Sequence, residues 1–239
     1  KFAEGLDSLI LDIKWGSGAF MKTVEQARQL AELMVHVGNE MGVKTSALIT
    51  DMNQPLGNMI GNSVEINEAT EVLRGAGPGD VTEVVLSLAS RLLVQSGVHP
   101  NLQDSQHTLL QLIQSGAALD KLATMVRSHG GDLHAERPIA KKTPLNSTQS
   151  GFISEVHAHH LGLAIIEMGG GRKQIGDPID HSIGIEFLVR IGDWVEPGKP
   201  LANIFCNTPA VKHAAELVES SIKLSPEPVD SPELIVEAI

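Results

Sequence analysis

The apolar positions change period several times along the chain, and each change marks an element. Residues 8–14, SLILDIK, form a short apolar run that predicts a buried strand. Thr23 with Gln26 has the capping-box spacing, which predicts a helix start there. Ala27, Leu30, Ala31, Met34 and Val35 then recur at the three-four spacing of one buried helix face, and the segment Asn39 to Gly42 closes it. Residues 44–50, KTSALIT, predict a second strand, so the first 50 residues read as a βαβ unit with a parallel strand pair.

Beyond the loop DMNQPLGNMIGNS, helical patterns cover residues 63–74, the stretch from Asp80 to about Gln95, and 104–129 in two pieces broken at Ser115-Gly116. From about residue 150 the texture becomes short. FISEVHAH alternates, LGLAIIEM is apolar, and IGIEFLVRI and GDWVEPGKPLANIF are apolar runs between Gly and Pro turns, which predicts a β-rich half. A helix is expected at about 209–223, and the Pro-rich end KLSPEPVDSPELIVEAI reads as a surface tail. The expected organisation is an α/β domain over 1–147, an α+β domain over 148–223, and the tail over 224–239.

Bulk properties narrow the function classes. The chain has 239 residues and a net charge of −11, so a phosphate backbone would on average be repelled and no nucleic-acid partner is expected. No tyrosine is present and aromatic residues are 3% of the chain, too few for base-stacking platforms. A single cysteine, Cys206, excludes an internal disulfide and a four-cysteine zinc site. With no apolar run of membrane-spanning length, the expectation is no membrane association and a cytoplasmic location. The first residue is lysine rather than methionine, and a strand pattern follows within ten residues, so the chain reads as cut from something longer.

Single motifs leave several chemistries open. GSGAF, residues 16–20, lies where a strand turns into a helix; it is either a tight packing turn or a ligand contact, since it lacks the Lys and hydroxyl of a P-loop and the spacing of a nucleophile elbow. In a strand, His157 and His159 of HAHH would share a face, but a third metal ligand is not evident, and an exposed edge is the simpler reading. GGGRK, residues 169–173, is either an anion-binding nest with Arg172 or a flexible hairpin. Asp51 stands at the carboxyl end of the second strand, where open α/β sheets bind ligands, although capping explains an Asp there equally well. Asp12 and Lys14 share a strand face and suggest an ion pair. GDWVEPGKPL is similar to the hairpin of biotinyl and lipoyl domains but lacks their Met-Lys-Met acceptor.

Three long blocks, in order, carry a resemblance to a known family. KFAEGLDSLILDIKWGSGAFMKT, TDMNQPLGNMIGNSVEINEATEVLRG and GFISEVHAHHLGLAIIEMGGGRKQIGDPIDHSIGI are similar to blocks of the pyrimidine-nucleoside phosphorylases, thymidine phosphorylase among them. The resemblance implies a fold of the nucleoside phosphorylase/phosphoribosyltransferase type: a mixed sheet flanked by helices, followed by a β-rich, barrel-sandwich-like C-terminal domain. It implies that Phe20 packs beside the pyrimidine ring. Lys1 matches the lysine adjacent to the family's base-binding lysine. The carbonyls of Leu56 and Met59 with the Glu68 carboxylate match part of a site for a monovalent or divalent cation. Trp15 departs from the family, which has a smaller residue there.

The implied reaction is reversible phosphorolysis of pyrimidine (deoxy)nucleosides, thymidine foremost, to the free base and (deoxy)ribose 1-phosphate. Phosphate is a co-substrate and no cofactor is required. The family's Gly-rich phosphate loop, its base-gripping Arg and Lys, and the helical domain of its homodimer interface are expected upstream of this chain. These 239 residues alone are therefore expected to be inactive, with no catalytic residue of their own. A non-catalytic binding or scaffold module, or a phosphorylase of nucleoside monophosphates, remain the alternatives.

Overall fold

The structure is a computed structural model and describes residues 5–239. In chain order the elements are β1 (Ser8–Trp15), α1 (Val24–Glu40), β2 (Lys44–Asp51), β3 (Met59–Gly61), α2 (Ser63–Leu73), α3 (Gly79–Gln95), α4 (Leu102–Gln114), α5 (Ala117–Ser128) and β4 (Lys142–Asn146). They continue with β5 (Gly151–Val156), α6 (Ala158–Met168), β6 (Gly184–Phe187), β7 (Trp194–Val195), β8 (Pro200–Phe205), α7 (Val211–Ser220), β9 (Ile222–Ser225) and β10 (Ile235–Ala238).

These residues pack into two compact units, and neither is one continuous stretch. The first takes the chain up to Asp51, then Glu71–Leu133 and Glu233–Ile239; the second takes Met52–Thr70 and His134–Pro232. A single cut near residue 147 does not give this division, because the loop after β2 belongs with the C-terminal strands and the last residues belong with the N-terminal sheet.

In the first unit β1 and β2 run parallel, in register from Ser8 opposite Lys44 to Trp15 opposite Asp51. The crossover is α1, as the βαβ reading expects. Thr23 caps it, its side chain accepting from the Gln26 N–H. The Gln26 carboxamide reaches back to the Lys22 N–H at 2.9 Å, one residue before the cap, so the reciprocal box is shifted by one.

Ala27, Ala31 and Gly38 are the buried positions of α1, all small, and they let the helix lie close on β2. The approach is tightest at Gly38, where a Cβ would stand 2.2 Å from Thr45 Oγ1. The indole of Trp15 packs on the same cluster, which contains Ala27, Ala31 and Ala47 beside Ile13 and Ile49. Small neighbours thus accommodate the large side chain. Its Nε1 is buried without a hydrogen-bond partner. At the amino ends of the strands, Gln95 of α3 donates to the Leu9 carbonyl at 3.1 Å and accepts from the Ser46 hydroxyl at 2.6 Å, so one side chain fastens α3 to both strands.

The expected surface tail is corrected here. β10 pairs antiparallel with β2 and completes a three-stranded sheet in the order β1-β2-β10. Glu237 on β10 receives the Arg28 Nε at 2.8 Å, fixing the last strand to α1. The Glu237 carboxylate holds the Arg28 guanidinium above its ordinary value.

The second unit holds two antiparallel sheets, β3-β6-β8-β4 and β7-β5-β9, with no closed barrel among the described residues. Phe187, Ile153, Leu161, Ile185, Ile204 and Val218 are fully buried in its core. The segment LGLAIIEM, expected as a strand, is the helix α6. Its buried positions, Leu161, Ala164, Ile165 and Met168, form one stripe, and the exposed side includes the apolar Gly162 and Leu163, so little polar contrast marks the helix.

Candidate functional site

Two places in the chain gather the sequence-predicted residues, one in each unit. The first is the turn after β1. Gly16 has φ 123°, a left-handed value open to glycine, and its N–H donates to the Met21 carbonyl at 2.9 Å. Lys22 Nζ donates to the carbonyls of Ser17 and Ala19 at 3.0 and 2.7 Å, stapling the turn from below. Ala19 is buried, while its neighbour Phe20 is 97% exposed. A phenylalanine held in a fixed turn with no packing of its own is an apolar face turned outward.

Asp51, opposite Trp15 at the end of β2, is buried, and its backbone N–H donates to the Leu234 carbonyl at 3.0 Å. Asp12 and Lys14 form the expected ion pair at 2.7 Å, and Lys14 also donates to Thr50 Oγ1 at 2.7 Å. Lys1 lies outside the described residues.

The second place is the loop from Met52 into β3, packed within the second unit. Glu68 on α2 accepts from the Asn58 N–H at 2.9 Å and the Met59 N–H at 3.2 Å through one oxygen, Oε1. The Met59 nitrogen also lies 3.4 Å from the second oxygen, Glu68 Oε2, so both oxygens of the carboxylate face this loop. Met59, the first residue of β3, directs its N–H at Glu68 and stands opposite Glu186 of β6.

A carboxylate oxygen and backbone carbonyls are a hard-donor set, which fits a cation of the kind expected at Leu56, Met59 and Glu68. No group of three or more His, Cys, Asp or Glu with metal-site geometry occurs among the described residues. One carboxylate and two backbone carbonyls make a partial donor set for such an ion.

The other sequence candidates do not assemble into sites. HAHH is not a strand. His157 is the N-cap residue of α6, and His159 and His160 fall in its first turn. His157 Nε2 lies 3.6 Å from Glu155, and His160 Nδ1 lies 3.4 Å from the Ser220 hydroxyl. Glu155 is held below the usual carboxyl range, chiefly by its hydrogen bond with Lys223.

GGGRK is not a hairpin between strands but the loop that follows α6. Gly169, at φ 99°, is the helix C-cap. The N–H groups of Lys173 and Gln174 donate to Asp177 at 3.1 and 2.8 Å, so the chain's own carboxylate fills the donors that an outside anion would need. Cys206 is buried beside Thr208. Sequence reasoning passed over Arg190. Its guanidinium donates to the Gly57 carbonyl at 2.6 Å and to Asn58 Oδ1 at 2.8 Å, inside the loop that carries Leu56 and Met59. A lone Arg in LVRIGD carries no signal of such a long-range contact.

Comparison with known proteins agrees with this architecture. The α/β-domain model of a glycosyl transferase family matches residues 1–119, and the pyrimidine nucleoside phosphorylase C-terminal domain model matches residues 152–225. The chain thus pairs an α/β transferase domain with a phosphorylase C-terminal domain. It belongs to the pyrimidine-nucleoside phosphorylase family. Pyrimidine-nucleoside phosphorylases of Staphylococcus aureus strains USA300, NCTC 8325 and bovine RF122 are each 42% identical to it over 245 aligned positions. The match covers 100% of this chain and 56% of each relative, so the chain spans about half their length.

Proposed function

We propose that the protein to which this chain belongs catalyses the reversible phosphorolysis of pyrimidine nucleosides, with thymidine the preferred substrate. The observation that carries the reading is Phe20: in a chain of this family, a fixed turn at the carboxyl end of a parallel strand pair holds an aromatic ring 97% exposed. A flat apolar face suits a pyrimidine ring.

In the reaction an oxygen of inorganic phosphate attacks C1′ of the nucleoside as the C1′–N1 bond breaks. The bonding pair leaves with the base, which takes up a proton, and the sugar leaves as its 1-phosphate. Negative charge grows on the base and positive charge on the sugar ring, so fixed dipoles and cations near the base lower the barrier. Phe20 orients the base. The carbonyls of Leu56 and Met59 and the Glu68 carboxylate would hold a cation, which supplies charge and rigidity to its loop when bound. No organic cofactor enters. The protein acts as a homodimer in the cytoplasm. No helix among the described residues is long and apolar enough to cross a membrane.

The test is chromatographic. The protein as its gene encodes it is incubated with thymidine or uridine, with and without inorganic phosphate. Phosphate-dependent release of free base and of the pentose 1-phosphate is expected, faster with thymidine. Base release that ignores phosphate, or none at all, overturns the proposal. The 239 residues by themselves are expected to give no turnover, since the relatives are nearly twice as long.

A further inference from the structure

The loop bearing Leu56 and Met59 is held from two directions within the second unit. From one side comes Glu68 of α2, whose Oε1 accepts from the N–H groups of Asn58 and Met59. From the other come the last residue of β6 and the turn after it. The Phe187 N–H donates to the Asn58 carbonyl at 2.7 Å, and the Ile191 N–H donates to Gln54 Oε1 at 2.9 Å. Between these two backbone contacts stands Arg190. One nitrogen, Nη2, donates to both the Gly57 carbonyl at 2.6 Å and Asn58 Oδ1 at 2.8 Å. The turn itself is braced, because the Arg190 N–H donates to Asp193 Oδ2 at 2.8 Å.

We propose that Arg190 is a positioning residue for the cation site. Its guanidinium sets the Gly57-Asn58 segment, and through it the orientation of the flanking Leu56 and Met59 carbonyls. The inference rests on the reading that these carbonyls and Glu68 hold a cation. It adds that a side chain from the region matching the phosphorylase C-terminal domain model fixes a loop from the region matching the α/β-domain model.

The Gly57 backbone explains why an outside brace is needed. Gly57 has φ 71°, a conformation that costs glycine little but that glycine does not enforce either. The peptide following it is held at its N–H end by Glu68, and a guanidinium bonded to the Gly57 carbonyl and the Asn58 amide oxygen holds its other end, so the two contacts together set its plane. Its charge opposes a nearby cation, so the contribution is orientation and not attraction. This sets the sign of the test: removing the charge alone would tighten cation binding, whereas losing the brace loosens it.

The experiment measures thermal unfolding of the purified protein against KCl, and separately against MgCl2, with choline chloride holding ionic strength constant. The parent protein is expected to gain stability with one of these ions and to saturate. Glu68→Gln is expected to lose that response. Arg190→Ala and Arg190→Lys are expected to need roughly tenfold more cation for the half-maximal effect, the range seen when partners of metal ligands are removed, with Lys the milder of the two. Asn58→Ala is expected to shift the midpoint in the same direction and decides the matter if Arg190→Ala does not fold. Lys223→Ala, which breaks an exposed ion pair with Glu155, is expected to leave the midpoint unchanged.

A merely structural role for Arg190 would lower the melting temperature without cation and leave the cation midpoint where it was; that result overturns the inference. A lower midpoint in Arg190→Ala would also overturn it. If the parent shows no cation response, the cation reading fails and the inference with it, which separates that failure from one confined to the Arg190 and Asn58 variants.

Discussion

Replacing Phe20 by alanine separates a ligand contact from a folding contact. In most positions truncating a phenylalanine removes core packing and costs about 3–5 kcal/mol of stability. Here the ring is 97% exposed, so the fold loses almost nothing. Phe20→Ala should therefore stay within about 0.5 kcal/mol of the parent in unfolding free energy. Its effect belongs to the complex. A pyrimidine lying against one face of the ring covers about 80 Å² of it, roughly half of what a phenylalanine side chain can bury. At about 25 cal/mol per Å² that contact is worth about 2 kcal/mol. The corresponding loss of affinity is about 30-fold.

The assay pairs KM for thymidine and uridine, at saturating phosphate, with the thermal midpoint of the same preparations. The expected outcome is a KM raised by about one to one and a half orders of magnitude with an unchanged midpoint, and partial recovery in Phe20→Leu, which restores apolar area without the flat face. The turn stays in place in every variant, because Lys22 staples it through backbone carbonyls. A KM within twofold of the parent would refute the assignment of Phe20 to the base. So would a large fall in stability, because that would mean the ring has a packing role that its exposure denies.

Two further outcomes follow from the packing and the charges. Gly38→Ala should destabilise the protein by about 1–3 kcal/mol, read as a lower urea midpoint, because the new methyl meets a strand residue that cannot retreat. Thr45 is buried and its hydroxyl donates to the Val43 carbonyl at 2.8 Å, which fixes the atom that stands 2.2 Å from the added Cβ. For Asp180, the hydroxyl and N–H of Ser182 donate to one carboxylate oxygen at 2.6 and 2.9 Å and hold the group below its ordinary value of 3.8. A depressed carboxyl contributes stability above its unfolded value and loses it as pH falls through the folded value. Asp180→Asn should therefore be less stable than the parent at about pH 7, and the gap should close as pH falls through the lowered folded value of Asp180; a gap independent of pH would refute the linkage.

Local patterns made most of the first 128 residues legible, the exception being β3, which stands in the stretch DMNQPLGNMIGNS that reads as a loop because its partner β6 lies more than 120 residues further on. The strand run at 8–14, the Thr23-Gln26 cap and the alanine face of α1 are signals carried by neighbouring residues, and the elements stand where those signals place them. The later half failed where the signal is not local. The run LGLAIIEM shows little polar contrast because Gly162 and Leu163, on the exposed side of α6, are apolar. Still, Leu161, Ala164, Ile165 and Met168 recur at the three-four spacing, and Gly169 follows as a C-cap, so the helix could have been found. β10 gave no warning at all. Its partner, β2, is almost the whole chain away, and a short strand behind prolines resembles a tail until the sheet edge it completes is known.

The candidate site follows the same division. Phe20 and Glu68 stand inside long recognisable blocks, and resemblance identifies them; Arg190 does not, because its contacts reach 133 and 132 residues back along the chain, to Gly57 and Asn58. The interleaving of the units has the same origin. Met52–Thr70 joins the C-terminal strands through pairs such as Met59 opposite Glu186, and Glu233–Ile239 joins the N-terminal sheet through Ile235 opposite Thr50. Each exchange is made by strand pairing between distant segments, whose energy comes from hydrogen bonds and burial that exist only after folding. A composition shift near residue 147 marks where the texture of the chain changes, and that is a different property from where its contacts close. The loop at 56–59 illustrates the consequence. It precedes that shift, yet the side chains that hold its shape, Glu68 and Arg190, come from either side of it.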